Sequence, residues 1–145
     1  PPGRRHQWLS NKLATEINIY IRNKTGKCEV YAAPFGVFLK NEKGEDDYLE
    51  PDIVVVCDLE KLDEKGCHGA PDWVIEIVSP SSKKRDYLKK AAIYMEQGVR
   101  EYWIVDPSRE TTVVYKHEEE GVQIVHKFGE PIKVGIYEDF EITIE

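Results

Sequence analysis

Apolar residues recur at helical spacing over residues 7–24, where Trp8, Leu9, Leu13, Ile17, Tyr20 and Ile21 line one face. The stretch 23–26 ends that helix at Gly26. The period then changes. Residues 28–33 and 35–40 read as strands, with Pro34 between them marking a bend or an edge. An acidic stretch, 41–50, reads as a mobile loop. Residues 53–57 (Ile-Val-Val-Val-Cys) form a buried strand entered through Glu50-Pro51-Asp52, and Asp58 turns the chain. A polar loop with Gly66 and Gly69 covers 59–72. Residues 73–78 (Trp-Val-Ile-Glu-Ile-Val) are a second run covered on both faces. Ser79-Pro80-Ser81-Ser82 breaks the strand and offers an N-cap. A helix over 83–96 stops at Gly98, and 99–106 is the next strand. This β-α-β order predicts parallel neighbours joined by a crossover helix. Shorter strands follow at 111–117, 122–128 and 141–144, with a hairpin turn at Glu119-Glu120-Gly121.

Two of these apolar strands carry an acid. Glu76 interrupts the second run, and Asp52 stands at the mouth of the first. A bare buried carboxylate costs several kcal/mol, so each needs a partner, a cation or water. If the strands are neighbours, the two carboxylates come within roughly 4–6 Å and need a cation between them or a shifted pKa.

The helix after Glu76 offers a cation. At 100° per residue, Leu88, Ala91, Ala92 and Met95 make one apolar stripe, which Tyr87 and Tyr94 extend. Lys89 points away from it. Lys90 lies at its border, one turn after Asp86. Lys90 therefore has two readings, an exposed i,i+4 pair with Asp86 or a reach over the sheet edge toward Glu76. Glu16 and His6 on the first helix read as solvated residues, with an extra site carboxylate as the alternative for Glu16.

Composition limits the function classes. The 145 residues fit one domain, 1–145, with a sizeable core. The net charge of −7 argues against a protein built for tight nonspecific nucleic-acid binding. Basic residues (Lys83, Lys84, Arg85, Lys89 and Lys90) nonetheless gather beside Glu76. No apolar run has the length of a membrane span, and no signal peptide is visible. The chain starts Pro-Pro-Gly without a Met, so upstream sequence is expected. Cys28, Cys57 and Cys67 are odd in number and widely spaced, which suits reduced thiols in a cytoplasm. Cys57, Cys67 and His68 lack the spacing and fourth ligand of a zinc site. There is no GxGxxG, GxxxxGK[ST] or GxSxG motif.

Pro51-Asp52, Glu76-Ile77-Val78-Ser79-Pro80-Ser81, Asp86…Lys90…Tyr94 and Gly98-Val99-Arg100-Glu101-Tyr102-Trp103-Ile104-Val105-Asp106-Pro107 together resemble the Uma2 family. The opening Pro-Pro-Gly…His6-Gln7 and Ala33-Pro34-Phe35 share the likeness, which covers nearly the whole chain. That family is similar to the PD-(D/E)XK, restriction-endonuclease-like nucleases. The resemblance implies an α/β core of mixed β-sheet flanked by helices, and a chain without the N-terminal hairpin the family often carries. It assigns Asp52 as the PD aspartate and Glu76 as the second acid. The lysine usual two residues later is replaced by Val78, and in Uma2-like sequences it has moved to the following helix, here Lys90. Asp52, Glu76 and the carbonyl of Ile77 would then form an oxygen-rich site for Mg²⁺ or Mn²⁺.

The leading expectation is a cytoplasmic, metal-dependent endonuclease acting on DNA. The alternatives are an inactive nuclease-like fold that binds nucleic acid or a protein partner, and an acidic structural domain that assembles as an oligomer. Expected partners are DNA and, in a homodimer, a second copy of the chain.

Overall fold

The computed structural model describes residues 2–24 and 26–145. Pro1 of the opening Pro-Pro-Gly and Thr25 of the helix-ending stretch lie outside the described residues. The elements run α1 (Arg4–Arg22), β1 (Glu29–Ala32), β2 (Gly36–Lys40), β3 (Asp46–Leu49), β4 (Ile53–Val56), β5 (Leu62–Asp63), β6 (Gly66–His68), β7 (Trp73–Ile77), α2 (Lys84–Gln97), β8 (Glu101–Asp106), β9 (Thr111–Lys116), β10 (Gln123–Lys127), β11 (Pro131–Lys133) and β12 (Glu141–Thr143).

The central sheet has the order β1-β4-β7-β8-β9-β10. Only β7 and β8 pair parallel, and α2 is the connection between them. The other pairs are antiparallel, so the sheet is mixed. Alternation divides its side chains between two cores. Ile53, Val55, Trp73, Ile75, Ile77, Trp103 and Val105 pack with α1. Val54, Val56, Val74, Tyr102 and Ile104 pack with Ala91 and Tyr94 of α2. Burial on both faces is why 53–56 and 73–77 read as continuous apolar runs rather than alternating ones.

α1 buries Leu9, Leu13, Ile17 and Ile21, an i,i+4 line along one side of the helix. Each fully buried side chain of this size contributes about 1.5–3 kcal/mol. Trp8, expected on that face, is one step around the helix and is 56% exposed. The α2 stripe is likewise rotated from the expected one. Ala91 and Tyr94 are buried, whereas Leu88 and Ala92 face solvent. The Tyr94 ring packs on Tyr102 of β8, with ring centres 4.9 Å apart. Gly98 ends α2 in the left-handed conformation, as the sequence predicts (φ 93°).

Two stretches expected as loops hold strands. β3 forms a hairpin with β2, and β5 and β6 extend it into a second sheet, β3-β2-β6-β5. Asp46 and Asp47 hide β3 from a composition reading, since acids are depleted in strands. Their cost is partly offset by Lys40, 3.1 Å from Asp46. β6 runs against β2 at Gly36↔Gly66, where φ of Gly66 is +142° and any Cβ would meet the Gly36 carbonyl. The Ala33–Pro34 peptide is cis, at the bend expected there.

The cysteines also correct the sequence reading. Cys28 and Cys57 form a disulfide, with Cα atoms 3.9 Å apart. The β1–β4 register pairs Glu29 with Val56, so the next position outward sets 28 against 57. Wide spacing in sequence carries no information about that register. Cys67 is free and buried, and burial pushes its thiol up to about 11. The thiols therefore give no argument for a cytoplasmic location. Among the described residues, no helix is long and apolar enough to cross a membrane.

Candidate active site

Asp52 precedes β4, and Glu76 lies near the end of β7. These two strands are neighbours, paired antiparallel with Ile53 opposite Ile75. One further step of that register sets Asp52 opposite Glu76. Cross-strand partners share a face, so the fold brings the two acids together at one end of the sheet. The Asp52 carbonyl accepts a hydrogen bond from Ala33 N–H, which fixes its backbone against β1. Its carboxylate Oδ2 accepts from Ile77 N–H at 2.7 Å. That bond ties the mouth of β4 to the end of β7.

Glu76 is 5% exposed, and both of its oxygens are engaged. Lys90 Nζ lies 3.0 Å from Oε1. Tyr102 O–H donates to Oε2 at 2.6 Å. Lys90 reaches the carboxylate along the edge of α2, its ammonium 5.5 Å from the centre of the Tyr87 ring. Of the two readings open to Lys90, the fold takes the reach to Glu76. Lys89 is exposed. Three phenols record the charge around the acids. Burial pushes Tyr102 far up, and the Glu76 charge and hydrogen bond add to it. Tyr94 is raised by burial, then by the charges of Glu76 and Asp52. Tyr87 is raised chiefly by burial, with the same two carboxylates contributing. All three stay protonated, so Tyr102 is a permanent donor to Glu76.

Two participants escape sequence reasoning. His6, read as a solvated terminal residue, is largely buried, with Nε2 3.2 Å from Asp52 Oδ2. The available signal was its spacing of three from Leu9, which continues the buried line of α1 by one turn. Tyr102 sits in an apolar strand and reads as core. A buried phenol needs an acceptor, but only the β7–β8 register identifies it as Glu76. Glu16 is partly buried on α1, remote in sequence from the pair, and makes no ion pair among the described residues. Cys57 is in the disulfide and His68 pairs with Asp63, so neither joins a zinc cluster.

Among the described residues, no group of three or more His, Cys, Asp or Glu side chains is arranged to hold a metal ion. The donor set nevertheless suits a hard cation that keeps most of its water. Mg²⁺ is commonly held by one or two carboxylates. The carboxylates of Asp52 and Glu76 each retain lone pairs beyond the bonds described, and the Ile77 carbonyl belongs to the residue whose N–H already binds Asp52. Two buried polar atoms beside the pair, His6 Nδ1 and the Tyr94 hydroxyl, have no hydrogen-bond partner among the described residues. A hydrated ion offers partners to such groups. Asp52, Glu76 and Ile77 therefore fit a hydrated divalent cation.

Known proteins give a consistent picture. No curated protein matches the chain. A crystal structure described as a "putative nuclease belonging to DUF820", from Anabaena variabilis ATCC 29413, superimposes with a TM-score of 0.72. It is 22% identical, and the match covers 93% of this chain and 74% of that one. At that identity the likeness establishes the fold, a mixed sheet with flanking helices. The Uma2 family, described as "Putative restriction endonuclease", matches residues 1–145. A match over the full length, on the fold just described, makes this chain a member of the Uma2 family.

Proposed function

We propose that the protein is a metal-dependent nuclease that hydrolyses phosphodiester bonds in DNA, with Asp52, Glu76 and Lys90 as its catalytic residues. One observation carries this reading: a lysine from α2 meets a buried glutamate on β7, opposite an aspartate that β7 itself holds in place. Position 78, where the related nucleases have their lysine, is Val78, and Lys90 supplies an ammonium at the same carboxylate from a different element.

Asp52, Glu76 and the Ile77 carbonyl would hold Mg²⁺ or Mn²⁺. When bound, such an ion supplies positive charge against the phosphate and acidifies water. The chain's own residues do the rest. Tyr102 fixes the orientation of Glu76, and Ile77 N–H and His6 fix that of Asp52. Lys90, whose side chain is about one-third exposed, is free to follow a phosphate oxygen and stabilise the charge that develops on it. The basic start of α2 adds a field that draws the strand in, within a chain whose net charge is −7.

The acidic balance favours a second reading, a nuclease-like fold that has lost catalysis and binds nucleic acid or a protein partner. A cleavage assay separates the two. Wild-type protein with Mg²⁺ or Mn²⁺ should cut single- or double-stranded DNA, and Asp52→Ala should not. Binding without cleavage under every divalent condition would favour the second reading.

A further inference from the structure

A groove of about 480 Å³ opens along the start of α2, lined by Tyr87 but not by Asp52, Glu76 or Lys90. Its floor is the sheet face that α2 leaves uncovered, with Ile104, Val113 and Tyr115. One wall is the 78–82 turn and the first turns of α2, including Ser82 and Tyr87. The opposite rim is the turn after β8, which carries Arg109, and Lys84 faces it from the helix. The volume lies in the range of small-molecule sites, enough for one nucleotide and too small for a duplex.

The groove's chemistry is uneven in an informative way. The floor is apolar and aromatic, whereas the rim carries two exposed cations and several hydroxyls. Asp106 is the acid in the lining, and it faces its own turn. Its Oδ1 accepts from Ser108 N–H, Ser108 Oγ–H and Arg109 N–H. Arg109 Nε is 3.9 Å from Asp106 Oδ2, and the side chain is 70% exposed, so the guanidinium remains open to an anion. Tyr115 O–H is satisfied by Gln123 at 2.9 Å and leaves the ring to line the floor. Tyr87 joins the groove to the candidate active site, since the Lys90 ammonium lies over its ring and both carboxylates act on its phenol.

We propose that this groove binds one unpaired nucleotide of the strand undergoing cleavage, its base over the apolar floor beside Tyr87 and its phosphates on Lys84 and Arg109. The inference rests on the nuclease reading and extends it by naming the substrate class as single-stranded or locally opened nucleic acid. A base stacked in a duplex can enter such a groove only after unstacking. Aromatic surface takes any base, so the groove favours single strands over a particular sequence.

The test is fluorescence anisotropy with a labelled 15-residue deoxythymidylate strand in EDTA, compared with the same strand annealed to its complement and with a fully abasic strand. The single strand should bind at least tenfold tighter than either. Val113→Trp, which fills the floor, should weaken binding about tenfold, provided its melting temperature shows that it folds. Lys84→Ala with Arg109→Ala changes only exposed side chains and should lower the slope of log affinity against log salt by about 1.4, or 0.7 per phosphate contact. Equal affinity for all three strands, or an unchanged salt slope in the double variant, would overturn the groove assignment. If DNA is cleaved with Mg²⁺ while those variants bind as wild type does, the groove fails and the nuclease reading stands. If no strand is bound and none is cut, both fail.

Discussion

Two glutamates lie buried on adjacent parallel strands, Glu76 in β7 and Glu101 at the start of β8. Glu101 is completely enclosed. It accepts from Trp103 Nε1–H and from Gly135 N–H, both short bonds from groups fixed in the fold. An added Cβ at Gly135 would lie 2.7 Å from Glu101 Oε1, so glycine is what lets that backbone come so close. Glu76 has a phenol on one side and, on the other, the end of a long, partly exposed lysine. One carboxylate is closed off by two N–H donors fixed in the fold, with the Lys116 charge close by. The other is held by a lysine whose side chain is about one-third exposed. A buried acid alone is therefore a poor sign of a site, and the exposure of its partner is the more informative property.

Truncating each glutamate should break the comparison most visibly. Glu76→Ala should abolish Mg²⁺-dependent cleavage, by about 10³-fold or more, because a carboxylate that would hold the cation facing the phosphate is gone. Glu101→Ala should leave turnover per folded molecule near wild type and lower stability by about 3 kcal/mol, since two buried N–H donors lose their acceptor. Turnover at saturating substrate, measured beside urea unfolding, checks both. Loss of turnover in folded Glu101→Ala would put both glutamates in the site.

Lys90→Ala comes next, with an expected loss of about 10²-fold in turnover. Lys89→Ala should be nearly silent, because that side chain faces solvent. Equal behaviour of the two lysine variants would make Lys90 a stabilising counter-ion only. Tyr102→Phe should have a smaller effect, about tenfold in turnover and about 1 kcal/mol in stability, as Glu76 loses one of its two bonds. The smallest expected effect is a pH dependence. Burial raises the Glu101 carboxyl above its ordinary range, with the Trp103 hydrogen bond and the Lys116 charge opposing it. The folded chain thus holds that proton to higher pH than the unfolded one. The contribution is fully present below the ordinary glutamate value of about 4.3 and is lost as pH rises through the raised folded value. Glu101→Gln should flatten the stability curve across that window in unfolding measured from acid to neutral pH.

The two acids, the helix between β7 and β8, and Lys90 at a boundary were legible because each departs from a local pattern. Asp52 and Glu76 are charges on apolar strands, and Lys90 lies where the wheel passes from buried to wet. His6, Tyr102 and the disulfide were not legible, because each depends on register or packing across the sheet. Tyr102 in an apolar run has no local feature that distinguishes it from core, and Cys28 meets Cys57 only once β1 and β4 are paired. β3 was missed for a different reason: its acids argue against a strand, and its pairing with β2 overrides them.

The central claim is that Asp52 and Glu76 share one divalent cation while Glu101 serves the fold. Calorimetric titration with Mn²⁺ tests it without relying on activity. Wild type and Glu101→Gln should each bind one ion with similar affinity, and Asp52→Asn and Glu76→Gln should each lose that site. Unchanged binding in Asp52→Asn and Glu76→Gln would contradict the account and point to a site elsewhere, first among them the acidic stretch 42–50.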